Sequence, residues 1–195
     1  MNLALFASGN GSNVQAIIDA VKDKKIKAHI QCIVCDNKHA YVIERARDAG
    51  INCIVVSPKE FANRKLWEQH IVNYLLVNQV DLIVLAGFMR IIKDEILGAF
   101  PKRIINIHPS MLPAFPGRNG ILDAFQAKVK ETGVTIHYVD EGIDTGEIIA
   151  QESLTVQGYW TLDELEAQIH AIEHRLYPIV IQQVIEDIQY TTQKG

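Results

Sequence analysis

Cysteine is scarce in this chain, with three residues at positions 32, 35 and 53. So small and odd a number excludes the disulfide framework that a small secreted domain relies on. Basic residues are not in excess: 19 Lys and Arg stand against 23 Asp and Glu, for a formal net charge of −4. A nucleic-acid partner would need a basic face, so the balance excludes one, and any anionic ligand has to be held locally. No apolar run approaches the ~20 residues that span a bilayer, and the opening segment Met1–Ala7 lacks the basic flank of a secretory signal. A cytoplasmic setting with no membrane partner is therefore expected. Low-complexity stretches, internal repeats and an interdomain linker are also missing, and the 195 residues suit one domain spanning 1–195.

Short apolar runs recur at Leu3–Ala7, Ile30–Cys35, Cys53–Val56, Leu82–Ala86 and Ile104–Ile107, and each has the length and β-branched content of a buried parallel strand. Between them, Ser12–Val21, Ala40–Ala49 and Arg64–Asn78 carry helical amphipathic patterns that can cover a sheet face. A further helix is expected at Ile121–Val129. Strands Val134–Val139 and Glu147–Gln151 then form a hairpin around the loop Asp140–Gly146. The segment Thr161–Ile188 is helical in pattern, with Pro178 expected to kink it or break it in two. Strand and helix alternating in this way give an α/β fold: a doubly wound, mostly parallel, Rossmann-like sheet with an antiparallel C-terminal hairpin. Alternation in the strand Ile30–Cys35 sends Cys32 and Cys35 to opposite faces, and no second pair completes a zinc site, so both read as core cysteines.

Three places carry residues suited to chemistry. Ser8-Gly9-Asn10-Gly11-Ser12-Asn13 joins the first strand to the first helix, where glycines admit close approach and free N–H groups favour an anion such as phosphate. The same loop fits a structural turn with Ser12 as an ordinary N-cap. It also fits a nicotinamide-binding crossover with Asp36 as the ribose-binding acid, although Val14 stands where that fingerprint needs glycine. Asn106 and His108 end a strand two residues apart and so share a face; asparagine can donate to an oxyanion and histidine can move a proton. A satisfied core or surface histidine is the plain alternative. Asp144, in the acidic loop 140–146, supplies a carboxylate that beside an imidazole favours the protonated ring, or else it is a solvated charge. The run His170-Ala171-Ile172-Glu173-His174 matches an inverted zinc-peptidase pattern, but no third ligand follows.

Four segments, Ser8–Asn13, Leu85-Ala86-Gly87-Phe88-Met89-Arg90, Asn106-Ile107-His108-Pro109-Ser110-Met111-Leu112-Pro113 and Asp140-Glu141-Gly142-Ile143-Asp144-Thr145-Gly146, occur in the order and spacing of one family. Together with Glu173–Pro178, they make the whole chain resemble the folate-dependent phosphoribosylglycinamide formyltransferases. The resemblance implies transfer of a formyl group from 10-formyltetrahydrofolate, as co-substrate, to the amine of glycinamide ribonucleotide in purine biosynthesis, with no metal and with the enzyme a monomer or homodimer. It implies Asn106, His108 and Asp144 as the catalytic set. Gly11, Ser12, Asn13, His170 and Glu173 would hold the ribonucleotide. Arg64, Met89, Arg90, Ile91, Ile92, Asn106, Asp140, Glu141 and Asp144 would form the folate site. The alternatives are a formyltetrahydrofolate hydrolase, an NAD-dependent oxidoreductase and a nucleotide-binding module. The hydrolases and the related methionyl-tRNA formyltransferases carry an additional domain for which 195 residues leave no room.

The chain departs from the family pattern in a few places. Lys128 stands where glycine is expected to close a helix, at a cost on the order of 1 kcal/mol if the position is left-handed. Glu147 replaces a proline after Asp144-Thr145-Gly146, which is expected to loosen that loop, and Met111 replaces leucine.

Overall fold

Continuous apolar strands can be satisfied only if both faces of their sheet are covered, and the computed structural model, which describes residues 1–194, meets that demand with helices on both sides. In chain order the elements are β1 (Asn2–Ala7), α1 (Ser12–Lys22), β2 (His29–Cys35), α2 (Val42–Ala49), β3 (Cys53–Val55), α3 (Arg64–Val77) and β4 (Leu82–Leu85). They continue with α4 (Asp94–Ala99), β5 (Ile104–His108), α5 (Gly120–Gln126), β6 (Glu131–Tyr138), β7 (Ile148–Thr155) and α6 (Leu162–Lys194). The strands lie in the order β3-β2-β1-β4-β5-β6-β7. The first five are parallel, while β6 and β7 run antiparallel to their neighbours.

Alternation along the strands sorts side chains into two cores. Leu3, Leu5, Ala7, Ile33 and Cys35 pack with Ile17 of α1 and Ile169 and Val184 of α6. Ala4, Phe6, Cys32 and Val34 pack on the other face with Trp67, Ile71 and Leu75 of α3 and Ile96 of α4. Cys32 and Cys35 thus face opposite ways, as the strand period requires. Each Leu, Ile or Phe that is fully buried gains roughly 1.5–3 kcal/mol over an exposed one, so the sheet is a stiff platform for whatever its loops carry.

The expected break at Pro178 is not found: α6 runs on through it. Proline removes the donor for the carbonyl of His174, an interior cost of roughly 3 kcal/mol. Leu165, Ile169 and Ile172 before it and Val180, Ile181, Val184 and Ile185 after it are all buried in the same core, so packing holds both halves in line. Its start is a capping box, in which the Glu164 amide donates to Thr161 Oγ1 (3.2 Å) and the Thr161 amide to Glu164 Oε2 (2.7 Å).

Two further differences have local causes. The helix α4 was not expected from the sequence; it is six residues long, and the buried carboxylate of Glu68 on α3 accepts the amides of Lys93 (3.0 Å) and Ile96 (3.5 Å) at its start. The helix α5 stops at Gln126 rather than Val129, because Lys128 takes the left-handed conformation (φ 52°). The Lys128 amide bonds to Phe125 O (3.0 Å) and the Val129 amide to Ala124 O (3.4 Å), the paired closure that normally uses glycine.

Candidate active site

In an open α/β sheet the chain leaves neighbouring strands in opposite directions at the point where the strand order reverses, which opens a crevice at their carboxyl ends. That point lies here between β1 and β4. Across it the Ser8 amide donates to Gly87 O (3.0 Å), and Ser8 Oγ accepts the Met89 amide (2.8 Å). The following loop turns through Gly11 (φ 74°), which is the N-cap of α1; Ser12 is the first residue of the helix, not its cap. A β-carbon at Gly11 would sit 2.6 Å from Val42 Cγ2, so only glycine fits. No side chain caps the first turn, leaving its amides to an anion.

Behind this turn Asn13 is buried and donates from Nδ2 to Glu173 Oε2 (3.0 Å), while its Oδ1 has no hydrogen-bond partner. The same carboxylate oxygen accepts His170 Nδ1 (2.8 Å). The hydrogen bond to Glu173 raises the His170 pKa above its ordinary 6.5, against the opposing effect of burial. His170 and Glu173, which looked like half of a zinc pattern, thus flank the Gly11–Asn13 turn. Among the described residues no group of three or more His, Cys, Asp or Glu is placed to hold a metal ion.

Asn106 and His108 project from the end of β5, which pairs with β6 so that Asn106 opposes His137 and His108 opposes Thr135. His137 was not singled out from the sequence. Its Nδ1 donates to Tyr138 O (2.8 Å), which leaves Nε2 to accept from Asn106 Nδ2 (3.1 Å) and so fixes the amide. His108 Nε2 donates to Phe115 O (2.8 Å). Its Nδ1 is 3.4 Å from Asp144 Oδ2, and Asp144 Oδ1 is 3.6 Å from His137 Nε2. Asp144, itself left-handed (φ 54°), also accepts the Gly117 amide (2.7 Å). Burial pushes its carboxyl pKa up, but the neighbouring His137 imidazole, the Gly117 hydrogen bond and the His108 imidazole outweigh it and hold the group below its ordinary 3.8.

The loop carrying Phe115 is itself pinned. Thr135 Oγ1 donates to Ser110 O (2.7 Å) and accepts the Leu112 amide (3.1 Å), while Gln151 Nε2 donates to Leu112 O (2.9 Å). These bonds link β6 and β7 to the loop whose Phe115 carbonyl orients His108, so the antiparallel hairpin is part of the site's support.

The opposite wall is the segment after β4. Arg90 Nε donates to the buried Asp36 Oδ2 (2.6 Å), and Asp36 does not line the cavity described below. The Arg64 guanidinium donates to Ile91 O and, through Nε, to Glu68 (3.1 Å). Lys93 Nζ reaches Glu141 O (3.0 Å), and Asp140 Oδ1 accepts both the Gly142 amide (3.0 Å) and Thr145 Oγ1 (2.7 Å).

These segments enclose one cavity of about 450 Å³. Gly11, Ser12, Asn13, Met89, Arg90, Ile91, Ile92, Asn106, His108, Asp140, Asp144, His170 and Glu173 all line it. Arg64 and Glu141 do not: Arg64 braces the wall from behind through Ile91, and Glu141 faces a second recess beside Leu97, Phe100 and Lys102. The thiols lie elsewhere, and burial pushes Cys32 up to about 12 and Cys53 to about 11, so neither is a nucleophile at neutral pH. What remains is an amide, two imidazoles and one ionised carboxylate around a common point, a set suited to acyl transfer without a covalent enzyme intermediate.

The chain is similar to known proteins along nearly its whole length. Residues 1–181 match the formyl transferase family. The chain is 48% identical over 182 residues to the phosphoribosylglycinamide formyltransferase of Bacillus subtilis (strain 168), covering 93% of each. Its structure superposes on that of the phosphoribosylglycinamide formyltransferase of Bacillus halodurans with a TM-score of 0.93 at 44% identity, covering 95% of each chain. Against glycinamide ribonucleotide transformylase 1 of Geobacillus kaustophilus the TM-score is 0.92 at 46% identity, over 94% of this chain and 97% of the other. No helix among the described residues is long and apolar enough to cross a membrane.

Proposed function

The chain belongs to the formyl transferase family, and we propose that it transfers the formyl group of 10-formyltetrahydrofolate to the amine of N1-(5-phosphoribosyl)glycinamide. The products are the N2-formyl ribonucleotide and tetrahydrofolate, a step of purine biosynthesis in the cytoplasm. One observation carries this reading: a single cavity is lined by the uncapped Gly11–Asn13 turn, by Met89–Ile92 and by Asn106, His108 and Asp144 together.

In this arrangement the ribonucleotide phosphate occupies the Gly11–Asn13 turn, with the sugar and glycinamide running past His170 and Glu173. The folate lies against Met89, Arg90, Ile91 and Ile92 and the Asp140–Asp144 loop. Binding both substrates together lowers the entropic part of the barrier. The substrate amine, with a pKa of about 8 if it behaves as an ordinary α-amino group, attacks the formyl carbon in its free-base form.

A new C–N bond forms as the carbonyl becomes an oxyanion. The Nδ2 of Asn106, held by His137, donates to that oxygen. His108 is anchored through Nε2 on Phe115 O, and its Nδ1 lies 3.4 Å from Asp144, beyond the range of a strong hydrogen bond, so in the imidazolium form favoured by that carboxylate the Nδ1–H is available to the oxyanion as well. Asp144 then passes the proton released by the amine to the leaving N10 as the old C–N10 bond breaks.

Purified protein incubated with 10-formyltetrahydrofolate, with and without the ribonucleotide, tests this by absorbance. Conversion that requires the ribonucleotide and is lost in His108→Ala is the expected result. Conversion without the ribonucleotide would make the protein a hydrolase. No conversion at all would return the site to a nucleotide-binding role.

A further inference from the structure

The phosphate turn does not stand alone on α1; the facing side of α2 holds it. Val42 and Arg45 lie three apart, hence on one helical face, and between them they grip three successive loop residues. The Val42 amide donates to Gly9 O (3.1 Å), and its side chain is the surface that permits only glycine at position 11. Arg45 Nε donates to Asn10 O (2.8 Å) and Nη2 to Asn10 Oδ1 (2.9 Å), a two-pronged hold on one residue. Its third nitrogen, Nη1, reaches Gln15 Oε1 (3.3 Å) in α1, and the guanidinium lies over the Tyr41 ring, 4.9 Å from its centre.

We infer that Arg45 is a positioning residue for phosphate recognition: its fork spans Asn10 and Gln15, and so sets the spacing of the Gly11, Ser12 and Asn13 amides that lie between them. The inference rests on the phosphate assignment of this turn made above. Lysine would keep the charge but gather its donors on a single nitrogen, so it cannot span the carbonyl and side-chain oxygens of Asn10 together with Gln15. The effect is confined to the phosphate end of the cavity. Asn106, His108 and Asp144 are carried by β5 and the loop after β6, and they make no hydrogen bond to Arg45.

The test compares wild type with Arg45→Lys on two acceptors: the ribonucleotide and the same glycinamide riboside without its phosphate. Loss of the fork is expected to lower kcat/KM for the ribonucleotide by about tenfold through KM, as removal of a charge-assisted, two-pronged hydrogen bond does. The KM for folate and kcat/KM for the riboside should stay unchanged. An equal loss on both acceptors would make Arg45 merely structural, and no loss on either would remove its role; both outcomes overturn the inference. Titration of inorganic phosphate against both proteins, followed by 31P NMR, keeps the two claims separable. If wild type binds phosphate more tightly than Arg45→Lys but transfers no formyl group, the inference stands and the proposed reaction fails. Equal phosphate affinity, or none in wild type, sinks the inference whatever the activity.

Discussion

Asp144 Oδ2 lies 3.4 Å from His108 Nδ1 while accepting the Gly117 amide at 2.7 Å, so one carboxylate ties together the end of β5, the loop after it and the loop between β6 and β7. Two histidines and an amide hold its pKa below 3.8 despite burial, which keeps it ionised throughout the range in which the substrate amine is free. Asp144→Asn preserves the shape and removes the charge. A fall in kcat of at least about 10² is expected, with KM for the ribonucleotide little changed, because the role proposed for Asp144 belongs to the transition state. Steady-state kinetics on the purified variant check this.

His170 gives a pH-dependent signature. Its pKa lies above 6.5 because Nδ1 bonds to Glu173, so its contribution to stability is fully present below the unfolded value and is lost as pH rises through the folded one. In Glu173→Gln the partner charge is gone, and the ring should titrate lower than in wild type. The NMR titration of the His170 ring proton in both proteins measures this; identical titrations would mean that the contact does not persist in solution.

Lys128 carries a backbone conformation that glycine adopts without strain. Lys128→Gly is therefore expected to raise stability by up to about 1 kcal/mol, or roughly 2–4 °C in Tm for a chain of this size, the relief of strain exceeding the extra flexibility of the unfolded glycine. Thermal unfolding of the two proteins decides it.

Tyr177 is fully buried beside Pro178, and its hydroxyl donates to Leu85 O (2.8 Å) and lies 3.3 Å from Ile105 O. Tyr177→Phe removes that link between α6 and the strands carrying the site, at an expected cost of about 1–1.5 kcal/mol. Urea denaturation measures the loss.

The pattern of these residues also explains what was legible in the sequence. Parallel strands announce themselves because both faces are apolar, and a three-residue separation in a strand was enough to put Cys32 and Cys35 in different cores. Glycine and the residues around it marked the turn before α1, where only glycine fits against Val42 at position 11. The proline signal at 178 was outweighed by long-range packing that no local pattern contains. The helix α4 is six residues long and is capped by Glu68, a residue distant in sequence. His137 was hidden for a similar reason: its task depends on the β5–β6 register, which places it opposite Asn106. That register was the one signal that could have found it. Arg64 and Glu141, which the resemblance implies for the folate site, do not line the cavity: Arg64 bonds to Ile91 O and Glu141 faces a neighbouring recess, a placement that only coordinates reveal.

The formyl group is proposed to pass directly between two substrates held in one cavity. That proposal is tested most directly by supplying 10-formyltetrahydrofolate carrying a 13C-formyl group, with unlabelled formate in excess and glycinamide ribonucleotide as acceptor, and reading the product by mass spectrometry. Full retention of 13C in the formylated ribonucleotide, with no labelled formate released, is the expected result. Labelled formate accumulating while the ribonucleotide stays unmodified would contradict it.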